Sequence, residues 1–149
     1  MFPEAARVFF HTSKYFVTWI PYSVACTLVN FSFHPPSAHS AVYKPPNGNI
    51  NSTLRDLEKV FKIMGDEKLI LAGDMNIDTS NSSNATKRYL EKLMEHNLFQ
   101  KTGAFTRITA KTKSTLDHVV TNINDLKTLV SHFCIADHQA VVALSLIHI

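Results

Sequence analysis

Glycine is scarce, with four in 149 residues, at positions 48, 65, 73 and 103. That scarcity excludes the glycine-rich loops that cradle nucleotide phosphates, and no Gly-X-Ser-X-Gly elbow of a serine hydrolase occurs. Cysteine is equally sparse. Cys26 and Cys134 lie far apart with no paired spacing, which excludes a disulfide framework and points to a reducing compartment. Acidic residues are missing from the first third: Glu4 is the only one before Asp56, although twelve occur in all. No Asp, Glu, Lys or Arg stands between Lys14 and Lys44. An uncharged stretch such as Tyr15 to Phe33 raises a membrane span as a candidate. Pro21 interrupts it, as do Thr18, Ser23, Thr27, Asn30 and Ser32, and its β-branched and aromatic content favours buried strands. Repeats and low-complexity segments are absent, so a single architecture without linkers is expected.

What is present suits one globular domain, or part of a larger one: 45% hydrophobic and 18% charged residues, with a formal charge of +3 and a pI near 8.9. The mild basicity fits a nucleic-acid or phosphate partner. Four Asn-X-Ser/Thr triplets, at Asn30, Asn51, Asn81 and Asn84, read as polar loop composition.

Residues 1–40 are poorly readable, remnant strands or unrelated sequence, with Val24 to Phe33 alternating loosely before His34-Pro35-Pro36. Ala41-Val42-Tyr43 ends a strand at the rigid Lys44-Pro45-Pro46-Asn47-Gly48 turn. Thr53 opens a helix with capping-box-like spacing, its apolar stripe Leu54, Leu57, Val60, Phe61 and Met64 ending at Gly65. Leu69 to Ala72 has the pattern of a strand buried on both faces. A second helix is expected over Ala85 to His96, burying Tyr89, Leu90, Leu93 and Met94. Short strands are expected at Leu98–Gln100, Phe105–Thr109, Leu116–Asn122, Thr128–Ile135 and Ala140–Leu146. Helices alternating with strands argue for α/β layering.

The chemistry-bearing residues follow strand ends. Gly73-Asp74-Met75-Asn76 delivers a carboxylate and a carboxamide to one loop, and loops at the carboxyl ends of strands are where sites collect in α/β folds. Locally it also reads as an Asx-rich turn. Asp117 stands near a strand start, and Asp137-His138 in another loop. A carboxylate beside a histidine fixes its tautomer, and a second carboxylate can hold a divalent cation or take a proton from water. Such a set suits hydrolysis of a phosphate ester. Zinc is the rival reading, because His132, Cys134 and His138 fall within seven residues and His34 and His39 lie upstream; the paired cysteines of structural zinc are missing.

Taken in order, Tyr43-Lys44-Pro45-Pro46-Asn47, Gly73-Asp74-Met75-Asn76, Thr106-Arg107, Ser114-Thr115-Leu116-Asp117-His118 and Asp137-His138 resemble the endonuclease/exonuclease/phosphatase superfamily, and most closely the apurinic-like endonuclease domains of non-LTR retrotransposons. The resemblance runs from about Ala41 to Leu144, with residues 41–146 as the C-terminal part of such a domain. It implies a four-layer α/β sandwich, two β-sheets flanked by helices, incomplete at the N-terminus. It also implies Mg²⁺-dependent phosphodiester cleavage, with Mn²⁺ as a substitute. Position by position, Asp74 would activate water and Asn76 would hold water or phosphate. His138 would contact the phosphoryl group, Asp117 would orient His138, and Tyr43 would donate to the phosphate. Asp137, with Asp74 and Asn76, would serve the metal. Thr106, Arg107 and Ser114 would lie near the DNA backbone.

Departures are Ala136 and Ala140, where the family usually has Ser and Pro, and the lack of an upstream Asn and metal-binding Glu. Hence the expectation of a fragment, inactive until its first half is restored. The implied function is DNA nicking by a retrotransposon endonuclease, with DNA and a reverse transcriptase domain as partners, no membrane, and an intracellular location, nuclear or cytoplasmic. The alternatives are a phosphatase or phospholipid phosphodiesterase of the same superfamily, and a catalytically dead domain that binds nucleic acid or protein.

Overall fold

The computed structural model describes residues 25–31, 37–135 and 137–144. In chain order the elements are β1 (Ala25–Phe31), β2 (Ser37–Tyr43), α1 (Ile50–Met64), β3 (Lys68–Asp74), α2 (Asn84–Glu95), β4 (Phe99–Gln100), β5 (Arg107–Ile108), β6 (Lys113–Ser114), β7 (Asp117–Thr121), β8 (Lys127–Ile135) and β9 (His138–Leu144). They form two sheets, with strand orders β1-β2-β3-β7-β4 and β6-β5-β9-β8. In the first sheet only β2 and β3 run parallel, joined through α1 as a crossover requires.

The core lies between the first sheet and the helices. Leu54, Leu57, Val60 and Phe61 of α1 pack in one cluster with Tyr89 and Leu93 of α2 and with Ala38, Val42, Leu69, Leu71 and Val120 of the sheet. Strand β3 departs from the expectation of burial on both faces. Leu69 and Leu71 are buried, whereas Ile70 and Ala72 are only partly covered. Those alternate positions face the second sheet, across a cleft of about 310 Å³ lined by Ala72, Gly73, Val119, Ala140 and Val141 among others. Helices, first sheet and second sheet are thus three layers of the sandwich. The uncharged stretch weighed as a membrane span contributes β1, and its remainder lies outside the described residues. Among those residues no helix is long and apolar enough to cross a membrane.

Two helix details correct the sequence expectation. Helix α1 starts at Ile50, not Thr53: the Asn49 side chain accepts from the amides of Asn51 and Ser52, so Asn49 is the cap. Thr53 is already inside the helix, and its hydroxyl donates back to the Asn49 carbonyl at 3.1 Å. Asn49→Ala is therefore expected to cost about 1 kcal/mol, read as a shift of the urea midpoint, whereas Thr53→Ala leaves the cap intact. Met94 of α2 is 65% exposed, whereas its neighbour Leu93 in the same turn is buried in the core.

Candidate active site

Strand register gathers the chemistry. Tyr43 pairs with Asp74 across β2 and β3, and Asp74 with Asp117 across β3 and β7, so these three stand side by side at one end of the first sheet. In the second sheet Ser114 pairs with Arg107, and Arg107 with His138. The two rows meet where His138 Nδ1 lies 2.8 Å from Asp117 Oδ2. A carboxylate accepts, so Nδ1 carries the hydrogen and Nε2 is left for another partner. One ligand atom from each of Asp74, Asp117 and His138 lies within 4.8 Å of the others.

The loop after β3 is held tightly. Asp74 Oδ1 accepts from the Asn76 amide at 3.0 Å, an Asx turn. Asn76 has φ of 45°, a left-handed conformation that Asn tolerates, and its side-chain amide donates to the Lys44 carbonyl at 2.8 Å. Burial pushes the Asp74 carboxyl above its ordinary range, and the neighbouring Asp117 charge adds to this, while the Asn76 amide and the nearby His138 work the other way. Tyr43 is half exposed at the rim, so its hydroxyl is free of the core packing that a strand-end tyrosine commonly has.

Four expected site residues are placed differently from one another. Thr106 is fully buried, and its hydroxyl accepts from the amides of Leu116 and Asp117 at 3.0 and 2.9 Å. Its hydroxyl is thereby spent on fixing the start of β7. Arg107 donates from Nε to Asp137 Oδ2 at 2.6 Å, with both side chains substantially exposed. Asp137 is thereby drawn to Arg107 and is not part of the Asp74–Asp117–His138 group; its carboxyl is held below the usual range chiefly by that hydrogen bond. Ser114 stands beside Arg107, partly exposed. Of the residues weighed for zinc, His138 is committed to Asp117, and the side chains of His34, His132 and Cys134 lie outside the described residues.

Sequence reasoning missed His118. It is buried, stacked on Tyr89 with ring centroids 5.4 Å apart. Its Nε2 lies 3.1 Å from the Thr115 carbonyl, which can only accept, so Nε2 carries the hydrogen and Nδ1 accepts from the Tyr89 hydroxyl at 3.1 Å. This ties α2 to the turn that leads into Asp117. Burial lowers the His118 pKa below the ordinary 6.5. The unfolded chain then takes up a proton that the folded chain resists. Stability is full above about pH 6.5 and falls as pH drops below it, with His39, also lowered by burial, adding in the same sense. Urea midpoints taken at pH 7.5 and pH 5.5 are expected to show this loss, and His118→Gln to lessen it.

Asp74 and Asp117 fit a divalent cation. Two neighbouring carboxylates, one of them disfavoured as an anion by burial, are relieved by a positive ion, and hard cations bind oxygen. Two carboxylates do not complete a shell of six or more oxygens.

The sequence profile described as endonuclease-reverse transcriptase matches residues 38–142, more than two thirds of the chain. The chain belongs to the endonuclease-reverse transcriptase family. That places it in the endonuclease/exonuclease/phosphatase superfamily of metal-dependent phosphodiesterases, whose α/β sandwich it shares. Among solved structures it is similar to the endonuclease domain of TRAS1, a telomere-specific non-LTR retrotransposon, with TM-score 0.70 and 18% identity over 79% of this chain and 60% of that one. It is similar also to a superfamily protein from Leptotrichia buccalis (TM-score 0.63, 18% identity, 78% of this chain and 50% of that one). A mannosyl-6-phosphatase of Bacteroides thetaiotaomicron follows (TM-score 0.57, 15% identity, 80% and 57%). The chain thus spans 50–60% of the length of these three structures. A comparison with curated proteins finds no match.

Proposed function

We propose that this chain carries the carboxylate–histidine part of a DNA-nicking phosphodiesterase of the retrotransposon type, using Mg²⁺, with Mn²⁺ as a substitute, and working beside a reverse transcriptase domain. The observation that carries the reading is the His138–Asp117 hydrogen bond formed beside Asp74 at the meeting of two sheets. A bound divalent cation would neutralise phosphate charge and be held by Asp74 and Asp117.

The remaining work falls to side chains. Asp74, made more basic by burial, takes a proton from the attacking water as the new P–O bond forms and the bond from phosphorus to the leaving sugar oxygen breaks, that oxygen taking its proton from solvent. Asn76 holds that water or a phosphate oxygen through its side chain. His138, held through Nδ1 by Asp117, stabilises the developing charge on the phosphoryl oxygens when Nε2 also carries a hydrogen to donate. Tyr43, half exposed beside Asp74, donates its hydroxyl to the same group. Arg107 and Ser114, on the row that ends at His138, contact the flanking backbone. Asp137 we assign to holding Arg107 in place, in preference to the metal, and Thr106 to positioning Asp117.

The test is supercoiled-plasmid nicking with Mg²⁺ or Mn²⁺, run beside hydrolysis of a phosphate monoester and of a phospholipid headgroup, with Mn²⁺ binding measured separately. Metal-dependent nicking supports the reading. Monoester or headgroup hydrolysis without nicking moves the substrate to the superfamily's phosphatases or phospholipid phosphodiesterases. Salt-sensitive DNA binding with no cleavage and no Mn²⁺ binding sinks the catalytic reading.

A further inference from the structure

The ladder between β3 and β7 ends on the pair Asp74 and Asp117. Beyond it Met75 donates to the Leu116 carbonyl at 2.9 Å, and Thr79 to the Thr115 carbonyl at 3.2 Å. Between those two bonds stand residues 76–78, and there a side chain takes over from the backbone. The Thr115 amide donates to Asp78 Oδ1 at 3.0 Å. Thr115 is buried, and a buried amide left unpaired costs free energy. Asp78 is itself held firmly. Its Oδ1 also accepts from the Ser80 amide at 3.0 Å and the Ser80 hydroxyl at 2.6 Å, while Oδ2 accepts from the Asn81 side chain at 2.8 Å. Its carbonyl accepts from the Thr86 hydroxyl at 2.9 Å, which ties it to the first turn of α2. Asp78 lies outside the Asp74–Asp117–His138 group.

One carboxylate thus spans from the loop that follows Asp74 to the residue two places before Asp117. We infer that Asp78 is a positioning residue, a side-chain tie that fixes the gap between the Asp74 and Asp117 carboxylates and so the fit of a divalent cation, an inference that rests on the phosphodiesterase reading. The pairing of β3 with β7 does not fix that gap alone, because Asp74 and Asp117 are the last pair of their ladder and element ends open most readily. Thr106 grips the amides of Leu116 and Asp117, and Asp78 grips the residue before them. A cation is held tightly only where its oxygens already stand in place, since ordering them on binding costs free energy. What acts is the position of Asp78 Oδ1, and its charge is incidental.

Three variants separate position from charge. Asp78→Glu keeps the charge but moves the carboxylate by one methylene. Asp78→Asn keeps an acceptor for Thr115 and drops the charge, and Asp78→Ala removes both. Mn²⁺ affinity is read by electron paramagnetic resonance on the full chain, under conditions where circular dichroism shows each variant folded. Asp78→Ala and Asp78→Glu are expected to weaken Mn²⁺ about three- to tenfold, less than the roughly 10- to 100-fold of a partner that touches a ligand directly. Asp78→Asn is expected to stay within about twofold of the parent. Asn81→Ala, which removes a donor to Asp78 but leaves the Thr115 bond, is expected to match the parent.

A merely structural role would lower the urea midpoint of Asp78→Ala and leave the Mn²⁺ affinity of the folded variants unchanged, and that result overturns the inference. A loss in Asp78→Asn as large as that in Asp78→Ala also overturns it, because charge or direct ligation would then be at work. Should Asp78→Ala not fold, the contrast of Asp78→Glu with Asp78→Asn decides alone. A parent chain that binds no Mn²⁺ overturns the phosphodiesterase reading and this inference with it, an outcome distinct from a parent that binds and variants that match it.

Discussion

Gly73→Ala is expected to remove most of the stability of the domain, about 3–5 kcal/mol. Gly73 has φ of 152°, and a Cβ built on it would lie 1.8 Å from the Val42 carbonyl oxygen and 2.8 Å from its carbon. Those atoms are backbone of the parallel partner strand, where Val42 faces Gly73 in register. A flexible side chain could swing aside; a strand cannot without breaking the pairing that carries Tyr43 alongside Asp74. Set against a typical domain stability of about 5–15 kcal/mol, the loss leaves little of the folded state. Urea unfolding followed by circular dichroism is the measurement, and a midpoint shift worth less than about 1 kcal/mol would refute the account. The same glycine lets the Lys44 amide reach the Asp74 carbonyl, so any residual folded fraction is expected to bind Mn²⁺ weakly.

The second large effect separates the roles of the two ends of the site. Asp74→Asn keeps the shape of the side chain and its acceptor for the Asn76 amide but removes the charge. Cleavage is expected to fall about 10²- to 10⁴-fold, with Mn²⁺ affinity down about tenfold or more, because a metal ligand and a base are lost together. His138→Ala is expected to lower cleavage about 10²- to 10³-fold while leaving Mn²⁺ affinity near the parent value. Its Nδ1 donates to Asp117, an arrangement that serves an imidazole facing phosphate and one ligating metal alike, so the Mn²⁺ affinity of the variant decides between the two roles. If His138→Ala loses Mn²⁺ as severely as Asp74→Asn, the imidazole is a ligand and the assignment is wrong. Cleavage unchanged in both variants would sink the site altogether.

Much of the fold was legible from periodicity. Helix α2 ends close to the expected His96, with Asn97 beyond it at a φ of 54°. Strands β3 and β7 stand where apolar runs met charged ends, because a strand between two packed layers must be apolar and its ends need not be. Helix α1 was misjudged at its start because Thr53 and Asp56 mimic a capping box, while the real cap is set by Asn49 backbone geometry, β-region with ψ of 124°. The short strands β5 and β6 carry too few residues for any period to identify their faces.

The sequence by itself determined which residue types stand at the strand ends, and in what order: Tyr43, Asp74, Asn76, Asp117 and His138. Their chemistry and order were enough for the family resemblance. Only the tertiary structure decided their partners. Asp137 and His138 are neighbours in the chain, yet one turns to Arg107 and the other to Asp117. Successive residues of an extended chain point to opposite sides, and which side meets which neighbour depends on sheets that the local sequence does not encode. Thr106 and Lys44 were sent inward for the same reason. Thr106 ended under the turn into β7 and Lys44 under its own Pro45–Gly48 turn, where burial turned surface residue types into supports.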